Sequence, residues 1–428
     1  MDTFSHIVQA ILNVGAVALL PLMILALGLI FRVSFIKALK AGLLVGIGFQ
    51  GLQLVVGFLV ATLTPVIKHY SSIGTGFSIV DVGWETLSAA AWATQFTAII
   101  VPLGLIVNFL LIRFKLIKTL NVDIWNYWHL LRSSAILSLI LTLMGISGVT
   151  NYSISIAFGV LLSVFICYVG DKVAPYWQEY FGLEGTTCTT ILQILTTLPI
   201  ALAVNYVIDK IPVIKKINIS FETIGSKFGS LADPTIIGAI LGAFLGILTG
   251  QPLPGIIKIS VGLAAAITLT PRMVRLFMEG MSPISRAARD YMIKKLGADA
   301  EINIGVDIAL GVGNQTAITV AAVMIPICIL LAFVLPWNKF FPAAFFGSSL
   351  TYAMATITMV CKGNMFRSMI TGCVYMIFTL FAFNFTASLC TQFVANSGVT
   401  SLPSGVLVAA GGMNNFIDFI LAAISKAL

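Results

Sequence analysis

Apolar residues run along this chain in long blocks, near the roughly 20 residues a helix needs to cross the hydrocarbon core of a bilayer, with basic or turn-forming residues between them. The blocks predict helical spans over 8–31, 38–60, 96–112, 133–148, 154–169, 234–249, 255–269, 317–335, 343–360 and 369–389. None shows the two-residue alternation of a barrel strand. Two other stretches break the pattern. Residues 183–199 read LEGTTCTTILQILTTLP, dense in hydroxyls and interrupted by Pro199. Such backbone suits the lining of a polar cavity rather than contact with lipid, so 183–207 is expected to be a re-entrant hairpin, or else an even number of crossings. Residues 392–416, with Gly398, Pro403, Gly411 and Gly412, are its expected partner from the other face.

Two stretches share one plan. IVDVGWETLSAAAWATQFTAIIVP opens at Ile79 and IGVDIALGVGNQTAITVAAVMIP opens at Ile304. Asp81 and Asp307 lead them, Gln95 and Gln315 follow, and Pro102 and Pro326 fall inside the apolar runs. A weaker match, IKALKAGLLVGIGF from Ile36 against IIKISVGLAAAITL from Ile256, lies at a similar offset, as expected of a duplicated chain. Basic residues then set the orientation, because they concentrate on the cytoplasmic side. With the N-terminus outside, Arg32 to Lys40, Arg113 to Lys172 (Arg132 among them), Lys210 to Lys227, Arg272 to Lys295, and Lys362 with Arg367 fall inside. The uncharged loops 147–152 and 250–254 fall outside. This works only if 183–207 returns to the side it left. The first span of one copy then runs inward and that of the other outward. The expected fold is an all-α polytopic membrane protein, an inverted repeat of about five transmembrane helices each plus re-entrant hairpins, a design common among alternating-access transporters.

Composition agrees. At 59% hydrophobic and 9% charged residues with mean hydropathy +1.04, the chain has too little polar surface for a soluble globule of its length. The first fifteen residues lack a basic n-region and a small-residue cleavage site, so the first span is expected to stay. The net charge of +8 reads as orientation rather than nucleic-acid binding. Six cysteines without CxxC spacing read as packing residues. Three scattered histidines supply neither a metal cluster nor a triad, and no Walker loop occurs, so no cofactor or metal is expected.

Carboxylates at membrane depth are costly and are kept mainly for a ligand, an ion or a structural pair. Asp81, Glu184 and Asp307 each sit beside a glycine in a polar stretch next to an apolar segment. In NVDIWNYWH, residues 121–129, Trp125, Asn126 and His129 share one helical face; taken alone, that motif reads as an interfacial aromatic belt with a capping Asp.

These motifs carry a resemblance. DVGW (81–84), AWATQ (91–95), NVDIWNYWH (121–129), LEG (183–185), IGVDIAL (304–310) and KGNMFR (362–367) occur in this order. With them the chain resembles, over nearly its whole length, the membrane-embedded C component (EIIC) of the galactitol branch of the bacterial phosphoenolpyruvate-dependent sugar phosphotransferase system (PTS). The resemblance implies a homodimer in the bacterial cytoplasmic membrane that carries a polyol by an elevator-type movement of a core against a scaffold. The scaffold would be 1–73 and 232–298, and the core 74–231 and 299–428. It also implies a separate EIIB, served by EIIA, that phosphorylates the polyol at the cytoplasmic face. Carried over motif by motif, it points to Asp81, Gln95, His129, Glu184, Asp307 and Asn314 as substrate-binding residues. There are two departures: Asn314 and Gln315 stand where galactitol carriers often have a histidine, and the sequence ends at Leu428, short of the further span and basic tail of longer relatives. The competing expectation is an ion-coupled secondary transporter of the same design, with Asp81, Glu184 and Asp307 relaying protons or holding Na⁺.

Overall fold

The structure, a computed structural model, describes residues 16–73, 77–220, 234–296, 301–347, 349–399, 402 and 405–428. The start of the first expected span, Lys227 and Pro403 lie outside these residues, as does the side chain of Trp125. The chain is mostly helical. Four helices form one group: α1 (Ala16–Ile30), α2 (Phe35–Ile73), α8 (Pro234–Leu248) and α9 (Leu253–Leu296). α1 and α9 both pack on α2, and α8 packs on α9. Small residues bring these backbones together, as is usual inside membranes. A Cβ on Gly42 would stand 2.5 Å from the Pro21 carbonyl oxygen, and one on Gly280 2.5 Å from that of Ala41. α2 has 39 residues, about 58 Å at 1.5 Å per residue. It and α9 therefore run well past the expected spans 38–60 and 255–269.

The second group holds α3 (Gly83–Trp92), α4 (Thr97–Arg113), α5 (Trp128–Leu143), α6 (Gly148–Phe181), α7 (Leu198–Lys210), α10 (Gln315–Val334), α11 (Ala343–Gly347), α12 (Ser349–Val360), α13 (Met365–Ser397) and α14 (Phe416–Ala427). Among the described residues α6, α10 and α13 are long and apolar enough to cross a membrane. α3 and α4, bent by 85° at their junction, add a fourth if they form one span. The bend frees carbonyls that lipid cannot satisfy. Thr94 and Thr97 take them, their hydroxyls donating to Ala91 O at 2.8 Å and Trp92 O at 2.9 Å.

Five short strands, which the sequence analysis did not foresee, tie the second group together: β1 (Ile79–Asp81), β2 (Thr119–Asn121), β3 (Thr186–Cys188), β4 (Asn303–Val306) and β5 (Leu407–Ala409). All pair in parallel. β4 lies between β2 and β3, and β1 pairs with β5 while its Ile79 also bridges Phe340. Each set thus has one strand from one half of the sequence flanked by two stretches from the other half. α6 and α13 end alike, on Gly182 (φ 66°) and Gly398 (φ 68°) in the left-handed conformation that closes a helix with least strain, and β3 and β5 follow. After β3 the chain turns into a helix from Ile191 that passes through one π turn at Gln193–Thr197 into α7. Pro199 lacks the N–H that an α turn would use there.

Candidate functional site

The ends of all five strands converge on one cavity. It is lined by Trp84 after β1, Asn126 after β2, Thr190 and Gln193 after β3, Asp307 after β4, and Gly411 with Gly412 after β5. Trp128, His129, Leu192, Ile308, Ser349 and Tyr352 complete it. The space between its lining atoms is about 520 Å³ including its mouth, of which a water-sized centre can visit about 50 Å³. Helices begin near its wall at Gly83 and Ile191, and a 3-10 turn starts at Ile308. The first N–H groups there are already taken: Gly83 N donates to Asp81 Oδ1, Ile308 N to Thr190 Oγ1 and Ala309 N to Asp307 Oδ1.

The polar side chains are held firmly. Asp307 precedes a 3-10 turn (Ile308–Gly313), and its Oδ1 accepts from Ala309 N at 2.8 Å. Beside it, the Asn126 amide donates to Thr190 Oγ1 at 3.4 Å. Behind them lies Asp123, buried, whose Oδ2 accepts from Asn126 Nδ2 at 2.6 Å. Thr190 Oγ1 accepts from Ile308 N at 2.9 Å, joining the β3 and β4 turns. His129 stacks on Trp128 with ring centres 3.8 Å apart, and Arg132 Nη1 stands 3.3 Å from its Nδ1. Gln193 lies in the π turn, a distortion that often marks functional positions.

The cavity brings together two of the six residues expected at the site, His129 and Asp307. The other four lie elsewhere. Asp81 spends both carboxylate oxygens on backbone: Oδ1 accepts from Gly83 N at 3.0 Å, and Oδ2 accepts from Ala344 N at 2.8 Å and Phe345 N at 3.2 Å. It therefore ties β1 to the start of α11. Gln95 lines a shallow cleft with Ser138, Thr142 and Asn151, and its carbonyl oxygen accepts from the Tyr152 hydroxyl at 3.1 Å. Asn314 caps α10, its Oδ1 accepting from Thr316 N at 2.9 Å and Ala317 N at 3.3 Å. Glu184 lines an exposed cleft with Asp171, Glu179, Arg286 and the ion pair Lys118–Glu301 (2.6 Å). There the hydrogen bond to Glu301 holds the Lys118 ammonium above the ordinary lysine range. That cleft is roomier than the cavity, and the Lys118–Glu301 pair in it is exposed.

Sequence reasoning missed an ion pair beside the cavity. Arg132, expected among the cytoplasmic cations, is fully buried, and its Nη2 meets Asp418 Oδ2 of α14 at 2.6 Å. Asp418 also accepts from Ser133 Oγ at 2.8 Å and Asn415 Nδ2 at 2.7 Å. Burial corrects the reading of Arg132 as an orientation signal. The clue in the sequence was an Arg entering one apolar segment and an Asp inside another, a pattern that calls for a partner. Trp84, Thr190 and Gln193 lay inside quoted motifs but were not singled out. Asp123 was read only as a cap.

Comparison with known proteins adds the family. The model of the PTS system sugar-specific permease component (EIIC-GAT) matches residues 10–405. The chain is 32% identical over 410 residues to the "PTS system galactitol-specific EIIC component" of Escherichia coli (strain K12), covering 95% of this chain and 88% of the relative. The protein of that name in Escherichia coli O157:H7 gives the same figures. A "Putative permease IIC component" of Escherichia coli (strain K12) is 31% identical over 417 residues, 96% of this chain and 92% of the relative. This chain belongs to the EIIC-GAT family, the sugar-specific permease components of the PTS.

Proposed function

We propose that this permease carries a sugar alcohol, with galactitol the first to test, through the cavity at the strand ends, and that a phosphorylated EIIB traps it as the phosphate at the cytoplasmic face. The observation that carries this reading is the cavity's lining: a carboxylate, two amides, two aliphatic hydroxyls and an imidazole, between Trp84, Trp128 and Tyr352. A polyol offers hydroxyls that donate and accept, matching such a mixed set, and its C–H faces suit aromatic walls. Galactitol comes from the name of the relatives of about one-third identity.

The movement we propose is elevator-like. The group of α1, α2, α8 and α9 would be the scaffold and, in a homodimer, the contact between copies. Exposed apolar residues such as Leu54 and Val261 leave that group sticky toward lipid or a second copy. The strand-bound group would be the moving core. Support for an inverted repeat comes from the exchange of strands between the halves and from the matched glycine ends of α6 and α13. The space visited by a water-sized centre holds only a few waters, at about 10–15 Å³ each, so a hexitol would enter as the walls part.

Two tests follow. Vesicles containing only this chain should not phosphorylate galactitol, and adding phosphorylated EIIB should restore phosphorylation. Activity of the chain alone, or uptake driven by an ion gradient without a phosphoryl donor, would refute the coupling. For topology, a cysteine introduced at Gly250 should react with an impermeant reagent from outside and one at Arg286 only from inside. The reverse labelling pattern would sink the inverted arrangement.

A further inference from the structure

We propose that Arg132, anchored by Asp418, is a positioning residue: it sets the tautomer of His129 and thereby the hydrogen bond the cavity offers its substrate. This rests on reading the cavity as the sugar-alcohol site. His129 and Arg132 are three residues apart on the first turns of α5 and so share a face. Arg132 Nη1 lies 3.3 Å from His129 Nδ1. A guanidinium has donors only, so Nδ1 must accept. A neutral imidazole that accepts at Nδ1 carries its proton on Nε2. The nitrogen left for the cavity is therefore a donor.

That choice complements Asp307, whose carboxylate only accepts. One substrate hydroxyl can give its proton to Asp307 while another accepts from His129. The other tautomer would present a second acceptor and waste the pairing. Arg132 has little freedom to release the ring. Its Nη2 is 2.6 Å from Asp418 Oδ2, its guanidinium carbon is 4.9 Å from the Trp128 ring centre, and a Cβ on Gly412 would stand 2.8 Å from Nη1. The charges around His129 are thus ordered: the Arg132 cation on the Nδ1 side, Asp418 behind it, and Asp307 in the same cavity wall as the ring.

The test is nitrogen NMR of the purified protein labelled with ¹⁵N-histidine. Only three histidines occur, His6, His69 and His129, so His129→Gln assigns the signal. The expected spectrum shows His129 almost wholly in the Nε2–H form at neutral pH; an Nδ1–H form or an even mixture overturns the proposal. In the double variant Arg132→Met with Asp418→Leu, which leaves no orphan charge, His129 should become a tautomer mixture and galactitol binding should weaken about twofold, because only about half of the rings then carry the competent tautomer. An unchanged tautomer in that variant also overturns it. The tautomer is read without substrate, so it stands apart from the polyol reading, which fails instead if galactitol leaves the His129 signals unmoved.

Discussion

Asp307→Asn is expected to weaken sugar-alcohol binding by about ten- to hundredfold while the protein stays folded. The magnitude is the loss of one hydrogen-bonded charged partner, about 1.5–3 kcal/mol. Folding should survive because the structural duty of Asp307 is to accept from Ala309 N, and an Asn oxygen serves there as well. What disappears is the negative charge facing the cavity and the capacity to accept at every lone pair, since an amide nitrogen only donates. Glu184→Gln makes the informative comparison. Glu184 lines the exposed cleft with Arg286 and Glu301 rather than the cavity, so its substitution should leave binding near wild type. Calorimetric titration of both purified variants with galactitol decides the matter. If Asp307→Asn bound normally and Glu184→Gln did not, the site would move to the cleft.

The second large effect is on stability. Asp418→Asn should destabilise the protein by about 3–5 kcal/mol, the usual cost of leaving one member of a buried ion pair without its counter-charge. Arg132 and Asp418 are both fully buried, so no water is at hand to solvate a stranded guanidinium. Their separation in the chain matters as well: the pair joins α5 to α14, and Ser133 reinforces the same joint at 2.8 Å. Removing both charges, as Arg132→Met with Asp418→Leu, should recover most of the loss, because apolar replacements of a buried pair are often neutral or better. Unfolding in a mixed-micelle denaturant series measures both. A single variant as stable as the wild type would mean that the pair is not closed in the folded protein.

The two acids that mattered most show what the sequence could and could not reveal. Asp307 was readable because local chemistry announces it: an acid beside glycine, after a short apolar run and before a broken helix, has few roles other than cap or ligand, and it turns out to be both cap and cavity wall. Asp81 has the same local signature, yet while its Oδ1 accepts from neighbouring Gly83 N, its Oδ2 accepts from backbone N–H groups of α11, a partner more than 260 residues away that no local pattern indicates. The helical class followed from apolar block length, a property of each segment by itself. The strands did not, because three residues such as Thr186–Cys188, buried on every side, have no alternation to detect. The Arg132–Asp418 pair was missed for the same reason as the Asp81 anchor: tertiary pairing of distant residues leaves only single unexpected charges in the sequence.

A structure of the purified protein with galactitol bound tests the central claim most directly. The account predicts ligand density between Trp84, His129 and Asp307, with one hydroxyl within hydrogen-bond distance of the Asp307 carboxylate and another within reach of His129 Nε2. Density in the Glu184 cleft, with the cavity at the strand ends holding only water, would contradict it.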